Sequence, residues 1–282
     1  MIRKPAARRR LPVGRVSALL AIVAGALVVL RGGTPTHWRA LAPGVEFGTM
    51  RGEPFCRRGS AEIGLLRLDP ARARLEVRHY SQEPERTPLD IVEWQRRTRA
   101  LAVFNAGQYY PDYSYMGLLV CGGERVSPRS HPQFGAALVA GPEGGGRTAR
   151  VLDLEREPLD PAALRWRHVA QSFMLFDEGG QPRVRRSDRV ANRTVVAEDR
   201  RGRLVVAASE GGYTLWEFAG LLQHAPLNLS HAMSMDGGEE AELLVRTERF
   251  GYANYARWDG GRKIAPPEGI VPLPAVVCVK TP

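Results

Sequence analysis

The chain has 282 residues, with 44% hydrophobic and 25% charged residues, a composition typical of a globular protein. Its formal net charge is +10, but residues 1–31 hold seven basic residues and no acidic one, which leaves +3 for the remainder. Because that remainder contains no basic stripe with interleaved aromatic residues, we expect no nucleic-acid partner.

The N-terminal segment, residues 1–32, is predicted to be a signal peptide or a membrane anchor. Basic residues up to Arg15 precede residues 16–30, which carry no charge. A spanning helix needs roughly 20 apolar residues, so this stretch is short for one, and cleavage and retention both stay open. In either case the basic flank favours an extracytoplasmic body, periplasmic or in the cell envelope. If residues 16–30 are retained, they anchor the protein in the inner membrane.

Residues 33–60 are rich in Gly, Pro and Arg and are predicted to be a linker, with a single domain over residues 61–282. The domain opens with strand-like residues 63–68 and 75–80, which we expect to pair as a hairpin. Thr87-Pro88 is typical of a helix start, because proline suits the first helical position. A buried strand is predicted over residues 101–104.

Strand-like segments dominate the rest of the chain, apart from a predicted long excursion at residues 141–166. A capping box at Thr214 predicts a helix to His224. Because strands outnumber helices, we expect an α+β fold with a mixed, largely antiparallel β-sheet core and a few packed helices. The predicted strands are residues 118–121, 134–140, 169–176, 194–197, 204–208, 232–235 and 241–246.

Cysteine and histidine spacing gives no sign of a metal or cofactor site. The three cysteines, Cys56, Cys121 and Cys278, include no Cys-x-x-Cys pair, and the six histidines lack metal-ligand spacing. In an oxidising compartment one cysteine pair could bridge and leave one thiol over, and the sequence does not indicate which. We therefore predict no metal and no cofactor.

Three polar clusters stand at the ends of strand-like segments, at residues 104–107, 192–194 and 235–238. They contain an amide (Asn105), a guanidinium (Arg193) and a carboxylate (Asp236). Strand ends are where a rigid scaffold presents functional groups to a common point. If these clusters converge, the site suits a ligand that carries both phosphate and sugar.

The order of these segments resembles the phosphodiester glycosidase family over about residues 65–245. Five pieces carry the resemblance in the same order along the chain. They are Ala102-Val103-Phe104-Asn105-Ala106-Gly107; Gly117-Leu118-Leu119-Val120 with Gly122-Gly123; Gln171-Ser172 with Met174-Leu175 and Gly179-Gly180; Arg193-Thr194-Val195-Val196 with Gly202-Arg203-Leu204; and Ala232 to Gly238.

The resemblance implies an exported hydrolase that cleaves the glycosidic bond of sugar phosphodiesters, releasing sugar and a phosphomonoester. Arg193 is the candidate for the phosphate, because a guanidinium grips two phosphate oxygens in a fork. Asp236 is the candidate at the anomeric carbon, where it could attack, activate water or stabilise an oxocarbenium-like transition state. The candidate substrate-binding residues are Asn105, Gly107, Gln171, Ser172, Thr194, Gly237, Gly238 and Glu239.

The chain departs from the family pattern beside the proposed site. The family favours a small Gly-Ser pair after Asp-Gly-Gly, whereas this chain has Glu239-Glu240, and it usually has proline near Phe173 and glycine at Ala197. If either glutamate faces inward, two carboxylates share the site and one pKa should rise. The glutamates also motivate an alternative, a non-catalytic envelope protein of the same fold that binds acidic glycans. A metal-dependent phosphodiesterase is a third hypothesis, for which the spacing shows no ligand cluster.

Overall fold

The structure is a computed structural model that describes residues 37–145, 148–255, 257–259, 262–264, 266 and 268–281. The predicted signal peptide or anchor at residues 1–32 lies outside the described residues. Within the described part of the chain, no helix is long and apolar enough to cross a membrane.

The described residues form nineteen strands and two α-helices, α1 (Ile91–Thr98) and α2 (Leu215–His224). Two 3-10 turns, Tyr80–Gln82 and Gly238–Glu240, complete the regular structure. The strands are β1 (Arg39–Ala42), β2 (Val45–Arg51), β3 (Glu62–Leu68), β4 (Arg74–His79), β5 (Ala102–Asn105), β6 (Leu119–Cys121), β7 (Glu124–Ser127), β8 (Ala136–Pro142), β9 (Ala149–Asp153), β10 (Trp166–Ser172), β11 (Met174–Phe176), β12 (Arg193–Asp199), β13 (Leu204–Ser209), β14 (Leu229–Gly237), β15 (Leu243–Thr247), β16 (Phe250–Asn254), β17 (Trp258–Asp259), β18 (Arg262–Lys263) and β19 (Ala275–Lys280).

Three sheets build the domain, and the pair β17-β18 forms a small fourth one. The first has seven strands in the order β1-β2-β3-β13-β12-β14-β11. The second has the order β7-β6-β10-β8-β9, and the third has the order β16-β15-β5-β19-β4. Every strand pairing among the described residues is antiparallel.

The predicted α+β class with a mixed sheet is therefore wrong, because the protein is mostly β. One central apolar core receives side chains from all three large sheets, including Leu66, Phe104 and Leu138, and none from either helix. Each helix instead covers an outer sheet face: Phe218 of α2 packs with the seven-stranded sheet, and Trp94 of α1 packs with the third sheet. Sheet-on-sheet packing, rather than a helix layer, holds the fold together.

The central strands of the first sheet are apolar on both faces. In β3, Leu66 packs in the central core while Leu65 packs in the cluster with α2, and Val206 and Val205 of β13 do the same. Burial on both faces explains why these strands are continuous apolar runs rather than alternating ones. The predicted hairpin of residues 194–197 and 204–208 is confirmed as β12 and β13, paired from Thr194–Ala208 to Glu198–Leu204.

The two helices begin at capping residues. At α2 the predicted capping box is confirmed, because the Glu217 amide donates to the Thr214 hydroxyl at 3.2 Å. At α1 the predicted start at Thr87 is wrong. Asp90 is the N-cap, and its carboxylate accepts from the Glu93 amide at 2.7 Å.

Long-range pairing decides several strands in ways that the sequence pattern does not indicate. The strand β4 pairs with β19 instead of forming the predicted hairpin with β3. The predicted linker at residues 33–60 contains β1 and β2, which are hydrogen-bonded into the first sheet. The excursion at residues 141–166 contains β9, which pairs with β8.

The three cysteines are free thiols.

Candidate active site

The candidate site lies where β14 ends and β12 begins. Arg193, the first residue of β12, pairs in register with Gly237, the last residue of β14. The Gly238 amide then donates to the Asn192 carbonyl at 3.0 Å, and Gly238 adopts a positive φ of 91°. A Cβ at Gly237 would lie 2.8 Å from that same carbonyl, so this close approach requires glycine. The Asp-Gly-Gly turn is therefore held directly against Arg193.

Asp236 is half-buried, and its carboxyl group is strongly perturbed. Burial, followed by the neighbouring charge of Glu240, raises the pKa of Asp236 to about 8. Hydrogen bonds from the backbone amides of Gly237 and Tyr109, together with the charge of Arg189, oppose this rise. At neutral pH the free protein therefore carries a largely protonated carboxyl group here, able to donate a proton.

The loop after β5 fixes the backbone that carries Asp236. Asn105 donates its side-chain amide to the Asp236 carbonyl at 2.9 Å, and Gln108 donates to the Met235 carbonyl at 2.9 Å. Gly107 makes room for Tyr115, since a Cβ there would lie 1.8 Å from the tyrosine hydroxyl. Gln108 was missed in the sequence, although its position directly after Asn-Ala-Gly was a usable signal.

Arg193 is only 8% exposed and is held by two backbone carbonyls. Its Nε donates to Tyr213 at 3.1 Å and its Nη2 donates to Arg189 at 2.8 Å. Burial and the charge of Arg189 lower the pKa of Arg193 to about 10, while Asp236 opposes the shift. The group stays charged at neutral pH, and its Nη1 lies 3.3 Å from where a Cβ of Gly237 would stand. One guanidinium edge is thus fixed, and Nη1 remains available beside the turn.

A second arginine, Arg189, lies at the same site and was missed in the sequence. Its carbonyl helps to hold Arg193, and its exposed side chain lowers the pKa values of both Asp236 and Glu240. Its place four residues before Arg193 in a basic loop was the available signal. The site therefore carries two guanidinium groups, one fixed and one at the surface.

Several predicted binding residues carry buried polar atoms with no hydrogen-bond partner among the described residues. These atoms are Asn105 Oδ1, Thr194 Oγ1 and Ser172 Oγ, and Asn192 Oδ1 is a fourth. Thr194 follows Arg193 on β12, while Ser172 precedes Phe173, whose carbonyl accepts from the Ser234 amide at 2.8 Å. Asn105, Asn192 and Thr194 border the end of β14, whereas Ser172 lies beside an earlier part of that strand. Unpaired buried polar atoms are uncommon, and those of Asn105, Asn192 and Thr194 are polar groups beside the Asp236 turn that a ligand could engage.

Gln171 lies beside this group, but its side-chain amide is fully engaged. Its oxygen accepts from the amides of Leu118 and His131, each at 2.9 Å. Its nitrogen donates to the carbonyls of His131 and Phe134 at 3.1 and 3.0 Å. The geometry gives Gln171 the role of a brace between three segments.

The two glutamates after the Asp-Gly-Gly turn face different ways. Glu239, a predicted substrate-binding residue, is exposed, and its carboxylate lies 3.7 Å from Arg257 on the outer side of the turn. Glu240 is half-buried, and burial raises its pKa. Only Glu240 therefore adds a second carboxyl group beside Asp236.

These features, a half-buried carboxyl group at a strand end with a fixed guanidinium beside it, accompany a match to a known enzyme family. Residues 98–271 match the model of the phosphodiester glycosidase family. This match covers more than half of the chain, and the chain belongs to that family. A sequence search of curated proteins finds no match.

Solved structures with the same fold are distant in sequence. The catalytic domain of zebrafish N-acetylglucosamine-1-phosphodiester alpha-N-acetylglucosaminidase, auto-inhibited by its pro-peptide, is 16% identical with a TM-score of 0.58, covering 89% of this chain and 87% of that one. A hypothetical protein from Synechocystis is 13% identical with a TM-score of 0.59, covering 88% of this chain and 64% of that one. At these identities the likeness establishes the fold alone.

Proposed function

We propose that this protein is an exported hydrolase that cleaves the glycosidic bond of sugar phosphodiesters and releases sugar and a phosphomonoester. The observation that carries the proposal is the register pair of Arg193 and Gly237, which sets a fixed guanidinium beside the Asp236 turn. Family membership supplies the reaction class. The basic and apolar residues 1–32 support an extracytoplasmic location, with the membrane as a partner if that segment is retained.

In this proposal Arg193 binds the phosphate. Its Nε and Nη2 are held by carbonyls, so little side-chain freedom is lost when a phosphate oxygen takes the remaining donors. Arg189 adds a second positive charge from the surface side. A phosphomonoester is a weak base and leaves readily once its charge is neutralised, so the cations supply the main stabilisation.

Asp236 acts at the anomeric carbon. With a pKa of about 8 in the free protein, it holds a proton at neutral pH that it can give to the departing phosphate oxygen. The resulting carboxylate then stabilises the oxocarbenium-like centre and accepts a proton from the attacking water. Asn105 and Gln108 fix the backbone of Met235 and Asp236 during these steps.

The test is product analysis with the purified full chain and a sugar-1-phosphodiester labelled with ¹⁸O in the bridging oxygen. Cleavage at the anomeric carbon leaves the label in the phosphomonoester and yields unlabelled free sugar. Label in the sugar, or sugar phosphate as product, would indicate P–O cleavage and refute the proposal. Chelator in a parallel reaction tests the metal-dependent alternative.

A second candidate is a non-catalytic envelope protein that binds acidic glycans. The inward-facing Glu240 favours it, because an extra negative charge opposes an anionic substrate. Tight glycan binding without turnover across a panel of sugar phosphodiesters would support this candidate, and measurable turnover would refute it.

A further inference from the structure

The carboxylate of Glu240 folds back over the Asp-Gly-Gly turn. Its Oε2 lies 3.4 Å from where a Cβ of Gly238 would stand, and the positive φ of Gly238 permits this short 3-10 turn. Glu239, the preceding residue, points to Arg257 on the outside. The two adjacent glutamates therefore form a natural pair for comparison, one beside the site and one outside it.

Few charged side chains lie around the Asp-Gly-Gly turn, and together they set the net charge of the site. Arg193 and Arg189 are positive, while Asp236 is largely protonated below its pKa of about 8. Glu242 is a buried carboxyl group near Glu240, and burial raises its pKa to about 8, so Glu242 is also largely protonated. With Glu240 ionised, the site carries one net positive charge, and without Glu240 it would carry two.

A sugar phosphodiester has one negative charge, whereas the phosphomonoester product has close to two at pH 7.5, because its second pKa is about 6. Hydrolysis adds the water oxygen to the anomeric carbon, and the phosphate oxygen keeps the electron pair of the broken bond. One water proton stays on the sugar hydroxyl and the other is released as the phosphomonoester ionises. The site thus turns a monoanion into a dianion.

We propose that Glu240 is a specificity-determining residue that favours binding of a monoanionic phosphodiester and weakens binding of the dianionic phosphomonoester. This inference rests on the proposed function, because it assigns a ligand preference to the same site. In this role the charge of Glu240 speeds the release of product.

The magnitude follows from electrostatics. A partly solvated charge pair is worth about 0.7 kcal/mol for each ligand charge, which is about threefold in affinity. Removing the charge of Glu240 should therefore tighten binding of a monoanion about threefold. The dianion carries twice the charge, so its gain should be about tenfold.

The experiment is calorimetric binding at pH 7.5 and low salt with the full chain. The ligands are a sugar-1-phosphonate methyl ester, as an uncleavable monoanion, and the methyl phosphate product, as a dianion. The variants are Glu240→Gln, Glu240→Ser and, as the matched control, Glu239→Gln. A fourth variant, Arg189→Ala, should act in the opposite direction and weaken the dianion more than the monoanion.

Relative to wild type, we expect the affinity of both Glu240 variants for the dianion to rise about threefold more than their affinity for the monoanion. Glu239→Gln should bind both ligands about as tightly as wild type does. An unchanged ratio in the Glu240 variants, or the same shift in Glu239→Gln, would overturn the inference. Failure of both ligands to bind any variant would also overturn it. Because binding needs no turnover, a shifted ratio without hydrolysis would refute the proposed function alone, and hydrolysis with an unshifted ratio would refute the inference alone.

Discussion

The side-chain amide of Asn105 donates to the backbone carbonyl of Asp236 at 2.9 Å and so joins two different sheets. Asn105 ends β5 of the third sheet, and Asp236 lies near the end of β14 in the first sheet. The position of the candidate catalytic carboxyl group therefore depends on how two sheets pack.

Asp236→Asn should lower kcat by two to four orders of magnitude, the range typical of a lost general acid or base. In the wild type, kcat/KM should fall as the pH rises through about 8, because the group then loses its proton in the free enzyme. The measurement is a pH–rate profile from pH 5 to 10. Asp112→Asn, an exposed carboxylate in the loop after β5, is the control and should keep the wild-type profile. If Asp236→Asn still loses kcat/KM as the pH rises through about 8, the ionisation near pH 8 belongs to another group.

Arg193→Lys should lower kcat/KM at least a hundredfold while it keeps a positive charge. A lysine cannot donate to the carbonyls of Tyr213 and Arg189 and still present a second edge to phosphate. Steady-state kinetics with thermal denaturation would separate catalysis from folding. Arg186→Lys, in the same loop region and stacked on Trp216, is the matched control and should retain activity. Near-normal kinetics in Arg193→Lys would remove the guanidinium from the mechanism.

Asn105→Ala should destabilise the protein by about 1–3 kcal/mol, because it leaves the Asp236 carbonyl without its donor. Asn105→Ala should also lower kcat more than it raises KM, because the backbone that carries the Asp236 carboxyl group loses its fixed position. Asn254→Ala is the matched control, because Asn254 is equally buried and its side-chain atoms have no hydrogen-bond partner among the described residues. Urea denaturation and kinetics test both variants, and equal losses would contradict a specific role for Asn105.

Glu242→Gln should reduce the dependence of stability on pH. Burial raises the pKa of Glu242 from 4.5 to about 8, so the folded chain binds this proton more tightly than the unfolded chain does. The stabilisation is complete below pH 4.5 and is lost as the pH rises through 8. Asp236 acts in the same direction, so a residual slope should remain.

Urea denaturation at pH 5 and pH 8.5 measures this effect. Wild type should lose roughly 2–4 kcal/mol more than Glu242→Gln between these pH values, at about 1.4 kcal/mol for each unit of pKa shift. Glu239→Gln is the control and should follow the wild type, because Glu239 is exposed. Parallel pH dependence in wild type and Glu242→Gln would show that Glu242 is ionised throughout.

Local features of this fold were predictable from sequence, whereas partners distant in the chain were not. The Thr214 capping box and the β12–β13 hairpin depend on residues close in sequence, and both were predicted correctly. The strand β4 pairs with β19, about 200 residues away, and no pattern in residues 75–80 encodes that choice. The fold class was predicted wrongly for a related reason. Capping residues and periodicity indicate helices locally, whereas the packing of one sheet on another depends on residues that are distant in sequence.

The candidate site was predictable in its parts but not in its charge balance. Arg193 and Asp236 were selected from strand ends, and their strands are neighbours in the structure. The inward turn of Glu240 depends on the positive φ of Gly238, and the place of Arg189 depends on how its loop folds over β12. Both are conformational outcomes that residue types alone do not specify.

The position of β19 has a consequence for biosynthesis. This strand, the last of the described chain to leave the ribosome, fits between β5 and β4, and the carbonyl of Ala275 accepts from the Ala106 amide and the Tyr109 hydroxyl, each at 3.1 Å. Until Ala275 emerges, the Asn-Ala-Gly loop has no support on that side, and β5 and β4 remain apart. The polypeptide should therefore stay open and inactive until β19 has paired with β5 and β4. Trimming that reaches Ala275 should return even a finished molecule to that open state.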